Sequence, residues 1–130
     1  MLDVAKKKVP GAAFILGSAS HNGMPDVRNA SVDLVVSVSS FHFWPDPVAG
    51  LVEIREKLKP GSRVVITDWN HEYWWCKLLG VWLWVRRFPG STFYTCKEAM
   101  TMLHSAGFSN VLGESFTAKG WGMFCIMGEA

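Results

Sequence analysis

The chain has 130 residues, enough for one domain with a real core. A formal net charge of +2 leaves no basic field of the kind that holds nucleic acid, so no nucleic-acid partner is expected. The three cysteines, Cys76, Cys96 and Cys125, form no CxxC pair, which favours reduced thiols in a cytoplasmic protein over a disulfide framework or a zinc site.

Residues Met1 to Lys8 read as a short helix, with Lys6, Lys7 and Lys8 placed where cations favour a helix C-terminus. The same stretch lacks the apolar region of a signal peptide. Val9-Pro10-Gly11 is a turn, and Ala12 to Leu16, AAFIL, is a strand candidate. Gly17 to Arg28 is loop-like. Val32 to Val38, VDLVVSV, is a nearly unbroken apolar run rich in β-branched residues. Arg63 to Thr67, RVVIT, is a second one. Continuous hydrophobicity predicts strands covered on both faces, as in a parallel sheet. Between them Asp46 suits an N-cap, Pro47 the first helical position, and Pro60-Gly61 a stop. Val48, Leu51, Ile54 and Leu58 share one face, with Glu53, Arg55, Glu56 and Lys57 elsewhere. Strand, helix and strand make a βαβ crossover.

Tyr73 to Phe88, YWWCKLLGVWLWVRRF, is strongly apolar but shorter than the ~20 residues that span a bilayer. It reads as a helix loosened near Gly80. Four tryptophans, Trp74, Trp75, Trp82 and Trp84, crowd into it. Thr95 to Ala106 is the clearest helix: Thr95 and Glu98 form a capping box, and Ala99, Met102, Leu103 and Ala106 form the apolar stripe. Gly107 ends it, with Phe108 placed to pack back on Leu103. Ser109 to Ser115 and Gly122 to Met127 are two terminal strands.

VDLVVSVSSFHFWPDP followed by LVEIREKLKPGSRVVITDWN resembles the middle of class I S-adenosylmethionine-dependent methyltransferases of the small-molecule type. The resemblance covers nearly the whole chain. It implies a Rossmann-like α/β three-layer sandwich, mostly parallel, with an antiparallel C-terminal strand pair. It also implies S-adenosylmethionine as cofactor and methyl transfer to a small, apolar acceptor. Residues 1–130 would be a single partial domain, because the family's GxGxG loop and ribose-binding acidic residue would precede Met1. Neither motif occurs here, so the isolated chain is expected to be inactive or weak. Gly17-Ser18-Ala19 also carries serine where the family has the aspartate that holds the adenine amino group.

In open parallel sheets chemistry sits at the carboxyl ends of the strands. Those ends supply the candidates. His42 is the catalytic base candidate, matching a histidine common there in the family; a plainer reading makes it a capped, partly buried histidine. Ser18, Ala19, Ser39 and Ser40 are cofactor-side candidates. Phe41, Asp68, Trp69, His71 and Tyr73 are substrate-side candidates, with helix capping an alternative for Asp68. No metal site is expected. Two other functions fit the residues: a non-catalytic interaction module derived from a methyltransferase, and a peripheral membrane or lipid-binding protein that uses Tyr73 to Phe88. For the sheet, the expectation is that Ala12–Leu16 closes onto Val32–Val38 as a parallel partner. Failing that, two copies would pair through the exposed edge as a homodimer.

Overall fold

The computed structural model describes residues 2–74, 77, 78, 81, 82 and 92–130. After helix α1 (Leu2–Lys8) come strand β1 (Val32–Val38), a 3-10 turn (Phe41–Phe43), helix α2 (Pro47–Lys57) and strand β2 (Leu58–Trp69). Helix α3 (Cys96–Ser105) and strands β3 (Ser109–Ala118) and β4 (Trp121–Glu129) complete the order. The four strands form one sheet in the order β1-β2-β4-β3. β1 runs parallel to β2, while β2–β4 and β3–β4 are antiparallel. This is the Rossmann-like α/β class expected.

Local signals explain the helices. The Asp46 side chain accepts from Ala49 N–H at 3.0 Å, and Pro47 opens α2 where no donor is needed. At α3 the capping box is complete: Thr95 Oγ1 accepts from Glu98 N–H, and Glu98 Oε2 accepts from Thr95 N–H. Gly107 has φ +86°, and Phe108 N–H donates to Leu103 O. β2 is longer than RVVIT because the chain passes from α2 straight into pairing at Val32↔Leu58. An irregularity then carries the register on to Leu34↔Arg63.

Leu51 and Ile54 of α2 and Ala99 and Leu103 of α3 pack on Val64, Ile66, Phe124 and Ile126 of one sheet face. Each Val, Leu, Ile or Phe side chain fully buried there contributes about 1.5–3 kcal/mol. Glu53 and Lys57 depart from the helical-face expectation, since both are buried. The cause is the segment before β1, which folds over α2. Asn22 N–H donates to Glu53 Oε2, Ala30 N–H to Glu56 O, and Lys57 Nζ to Asn29 Oδ1. Lys57 and Glu53 also pair at 3.3 Å.

Two expectations fail. Ala12–Leu16 is not a strand, and Leu16 is 81% exposed. Among the described residues β1 therefore has no strand partner on its outer side; the chain between Ala12–Leu16 and β1 is bonded to α2 through Asn22, Asn29 and Ala30. The opposite sheet face is also open: Leu34, Val36 and Val38 are 53%, 59% and 62% exposed. The expected helix Tyr73–Phe88 falls largely outside the described residues; Trp74, Leu78, Val81 and Trp82 are helical and at least half exposed. Among the described residues no helix is long and apolar enough to cross a membrane.

Candidate functional site

Parallel pairing brings the carboxyl ends of β1 and β2 to the same side of the sheet, with Val38 beside Thr67. The chain leaves β1 at Ser39, whose φ of 50° is unusual for a residue with a side chain. Ser39 N–H donates to Thr67 O at 2.9 Å, which fixes the turn against β2. The 3-10 turn that follows is thereby aimed at the last residues of β2.

His42 and Asp68 meet there. Asp68 Oδ1 lies 2.8 Å from His42 Nδ1, and Asp68 Oδ2 accepts from His42 N–H at 3.0 Å. Trp69 N–H donates to Asp68 Oδ1 at 2.7 Å. With an ionised carboxylate as partner, Nδ1 carries the hydrogen and Nε2 presents its lone pair. Phe43 and Phe93 lie against the imidazole, at centroid distances of 4.0 and 5.3 Å. Both members of the pair are buried.

The structure sorts the other candidates. Asp68 is 1% exposed; its carboxylate accepts from His42 N–H and Trp69 N–H and lies against His42 Nδ1. Phe41 is fully buried, edge-on to Trp44, and belongs to the core. Trp69 meets Trp121 edge-on at 5.1 Å, and successive side chains of β2 face opposite sides of the sheet, so these indoles do not lie on the Asp68 side. His71 N–H donates to Tyr94 O, and Tyr73 lies against Gly122. Sequence reading missed Phe93, Trp121 and the fully buried Asn70. The Asn70 amide donates to Ser115 Oγ at 2.9 Å and its oxygen accepts from Glu72 N–H. That locks the chain as it leaves β2. The DWNH run was the available signal for Asn70; Phe93 and Trp121 had none. Burial pushes the Cys96 thiol up, so it is a packing residue rather than a nucleophile.

On the outer side of β1 lies a groove of about 410 Å³, whose lining includes Ala19, Met24, Val36, Val38, Ser40 and Trp44. It unites two cofactor-side candidates, Ala19 and Ser40. Ser39 is held by its backbone to Thr67, and Ser18 N–H donates to Gly23 O. The apolar walls and the Trp44 ring suit a purine. The polar lining is already committed: Ser37 and Ser40 hydroxyls bond each other at 2.8 Å, and Lys57 bonds Asn29 and Glu53. Among the described lining residues no carboxylate is present to receive ribose hydroxyls or an ammonium group. The groove therefore does not fit the whole of S-adenosylmethionine by itself.

Comparison with known proteins bears on the same residues. The model of the methyltransferase domain family matches residues 1–66. Methyltransferases of uncharacterized function from Mycobacterium tuberculosis and Mycobacterium bovis are 34% identical over 70 residues. That stretch is 54% of this chain and 27% of each relative, so the match spans about a quarter of their length. Among solved structures, a SAM-dependent methyltransferase from Thermotoga maritima superposes with a TM-score of 0.81 at 20% identity, over 99% of this chain and 68% of that one. One from Aquifex aeolicus gives 0.68 at 19%, over 98% and 60%. At those identities the likeness establishes the fold. The family match, which takes in α1, β1, α2 and most of β2, goes further: the chain belongs to the methyltransferase domain family, whose cofactor is S-adenosylmethionine.

Proposed function

We propose that this chain supplies the acceptor side of a methyl-transfer site, with His42 as the base that takes a proton from a small, largely apolar alcohol or amine. The observation that carries the reading is the buried His42–Asp68 pair at the carboxyl ends of β1 and β2. Asp68 holds Nδ1–H and so turns the Nε2 lone pair toward an acceptor proton. As that proton arrives, the carboxylate stabilises the imidazolium. Phe43 and Phe93 restrict water around the ring. A positioned base of this kind contributes roughly 10²–10⁴-fold. A cytoplasmic location belongs to the same reading, supported by the unbonded thiols of Cys96 and Cys125.

The test is nitrogen-resolved magnetic resonance of the His42 ring in the intact chain at a pH where the ring is neutral. The expected signature is a hydrogen on Nδ1 and none on Nε2. A ring carrying its hydrogen on Nε2 would sink the proposal, because no base would then face the acceptor.

A second reading, a non-catalytic interaction module, is favoured by a separate observation: the outer edge of β1, which has no strand partner among the described residues.

A further inference from the structure

Two residues beyond Asp68 the chain buries an asparagine completely. Asn70 is 0% exposed, and all of its polar atoms are engaged. Its N–H donates to Gly122 O at 3.0 Å, and its backbone oxygen accepts from Tyr73 N–H at 3.3 Å. The side-chain oxygen accepts from Glu72 N–H at 3.0 Å, while Nδ2 donates to Ser115 Oγ at 2.9 Å and to the Glu72 carboxylate at 3.3 Å. The amide fits only one way round, because Glu72 N–H can only donate and its ionised carboxylate can only accept. A buried amide is costly unless it is satisfied in this way. Asn70 holds both the departure of the chain after β2 and its return. It pairs in parallel with Tyr94, and the adjacent His71 N–H donates to Tyr94 O at 3.0 Å.

Phe93 stands next to that clamp. On its other side, Thr92 N–H donates to His42 O at 2.8 Å. Between these two fixed neighbours, the Phe93 ring lies 5.3 Å from the imidazole and within 16° of parallel to it. Tyr94 anchors the same three residues to the core through Phe41, at a centroid distance of 5.5 Å. Asp68 and Phe93 constrain different motions of His42. The contact between Nδ1 and Asp68 fixes the direction of that nitrogen. It leaves the ring free to tilt, since a hydrogen bond tolerates a broad range of angles. A parallel aromatic face opposes the tilt. Nε2 is aimed in one direction only when both are present.

We propose that Phe93 is a positioning residue for His42, seated by the clamp of Asn70 on Tyr94. For its effect on turnover the inference rests on the reading of His42 as a base; the seating rests on the geometry of Asn70, Tyr94 and Phe93 alone. Proton transfer is steep in geometry, and a misplacement of about 1 Å costs roughly 10²-fold. A leucine at this position would fill similar space and exclude similar water, but it has no face to set against the imidazole.

The experiment has two arms. In the intact chain, magnetic resonance follows the carbon-bound protons of the His42 ring, which the Phe93 ring current displaces while the rings are stacked. Phe93→Leu should return these resonances toward their ordinary positions, and Phe93→Tyr, which keeps the face, should leave them displaced. Asn70→Ser is too short to make both side-chain contacts. It should return the resonances as well, and speed exchange of the Thr92 and His71 amides roughly tenfold or more. Protection in β2 and α3 should stay unchanged in these variants, showing that they fold. Resonances that do not move in Phe93→Leu, or that do not move in Asn70→Ser, overturn the proposal. In an active protein containing this domain, Phe93→Leu should lower kcat roughly tenfold or more with KM unchanged. The loss should vanish in a His42→Ala background, because Phe93 acts through His42. Unchanged turnover in His42→Ala would overturn the base reading and the effect of Phe93 with it. A loss in His42→Ala without one in Phe93→Leu would overturn this proposal alone.

Discussion

At the scale of single residues, the proposed base is His42, with Asp68 bonded to its ring nitrogen. In an active protein containing this domain, His42→Ala should lower kcat by roughly 10²–10⁴-fold with little change in melting temperature. A lower melting temperature with unchanged turnover would return His42 to a packing role. Asp68→Asn keeps the shape but offers Nδ1 a neutral partner, so turnover should fall and ring-nitrogen spectra should show mixed tautomers. Glu53 titrates differently. Burial works against its carboxylate, but Lys57 and the Asn22 N–H outweigh that, and its pKa lies below the ordinary 4.5. A carboxylate with a lowered folded-state pKa adds stability above its unfolded value, and that stability is lost as pH falls through the folded value. Glu53→Gln should therefore destabilise the chain near neutrality by about 1–3 kcal/mol and flatten the acid limb of its unfolding curve. Equal parent and variant losses between neutrality and strong acid would refute it. His42 was legible in the sequence because it follows a recognisable strand. The contact of Asp68 with it was not, since the two lie 26 residues apart and only the register of β1 on β2 joins them. The burial of Phe41 was not legible, because an aromatic after a strand looks the same in sequence whether it faces the surface or the core.

At the scale of elements, caps and strands were readable because their causes are local. Asp46-Pro47, Thr95 with Glu98, and Gly107 each state a helix boundary within a few residues. The failure at Ala12–Leu16 is the complementary case: an apolar run becomes a strand only if another strand satisfies its backbone, and pairing is not written in the run itself. What the preceding segment does instead depends on Gly50. A Cβ there would stand 2.6 Å from the Ala19 carbonyl oxygen and 3.2 Å from the Trp44 ring. Alanine normally helps a helix interior by up to ~1 kcal/mol over glycine. Here Gly50→Ala should instead cost about 1–3 kcal/mol and loosen the loop that carries Ala19. Thermal unfolding checks the sign: a rise in melting temperature would mean that the loop moves aside without cost.

At the scale of the molecule, the groove beside β1 gives part of a cofactor site and no more. The isolated chain should bind S-adenosylmethionine at millimolar strength or weaker, about −4 kcal/mol or less favourable. A micromolar dissociation constant from calorimetric titration would show that the described lining suffices after all. The family itself was legible from the β1–α2–β2 stretch, because that stretch holds its local punctuation and its core strands together. The open face was not, since VDLVVSV reads the same whether something covers it or not. The strand order has a last consequence, for the chain as it is made. β2 ends at Trp69, but its second neighbour, β4, begins only at Trp121. Even Ala130 takes part, exchanging backbone hydrogen bonds with Gly61 and Ser62. On the ribosome, β1, α2 and β2 must wait, apolar and half-paired, until β4 has been translated. Synthesis that halts at Gly120 should therefore leave a nascent chain that protease digests and chaperones hold, whereas synthesis through β4 should let the sheet lock in one step.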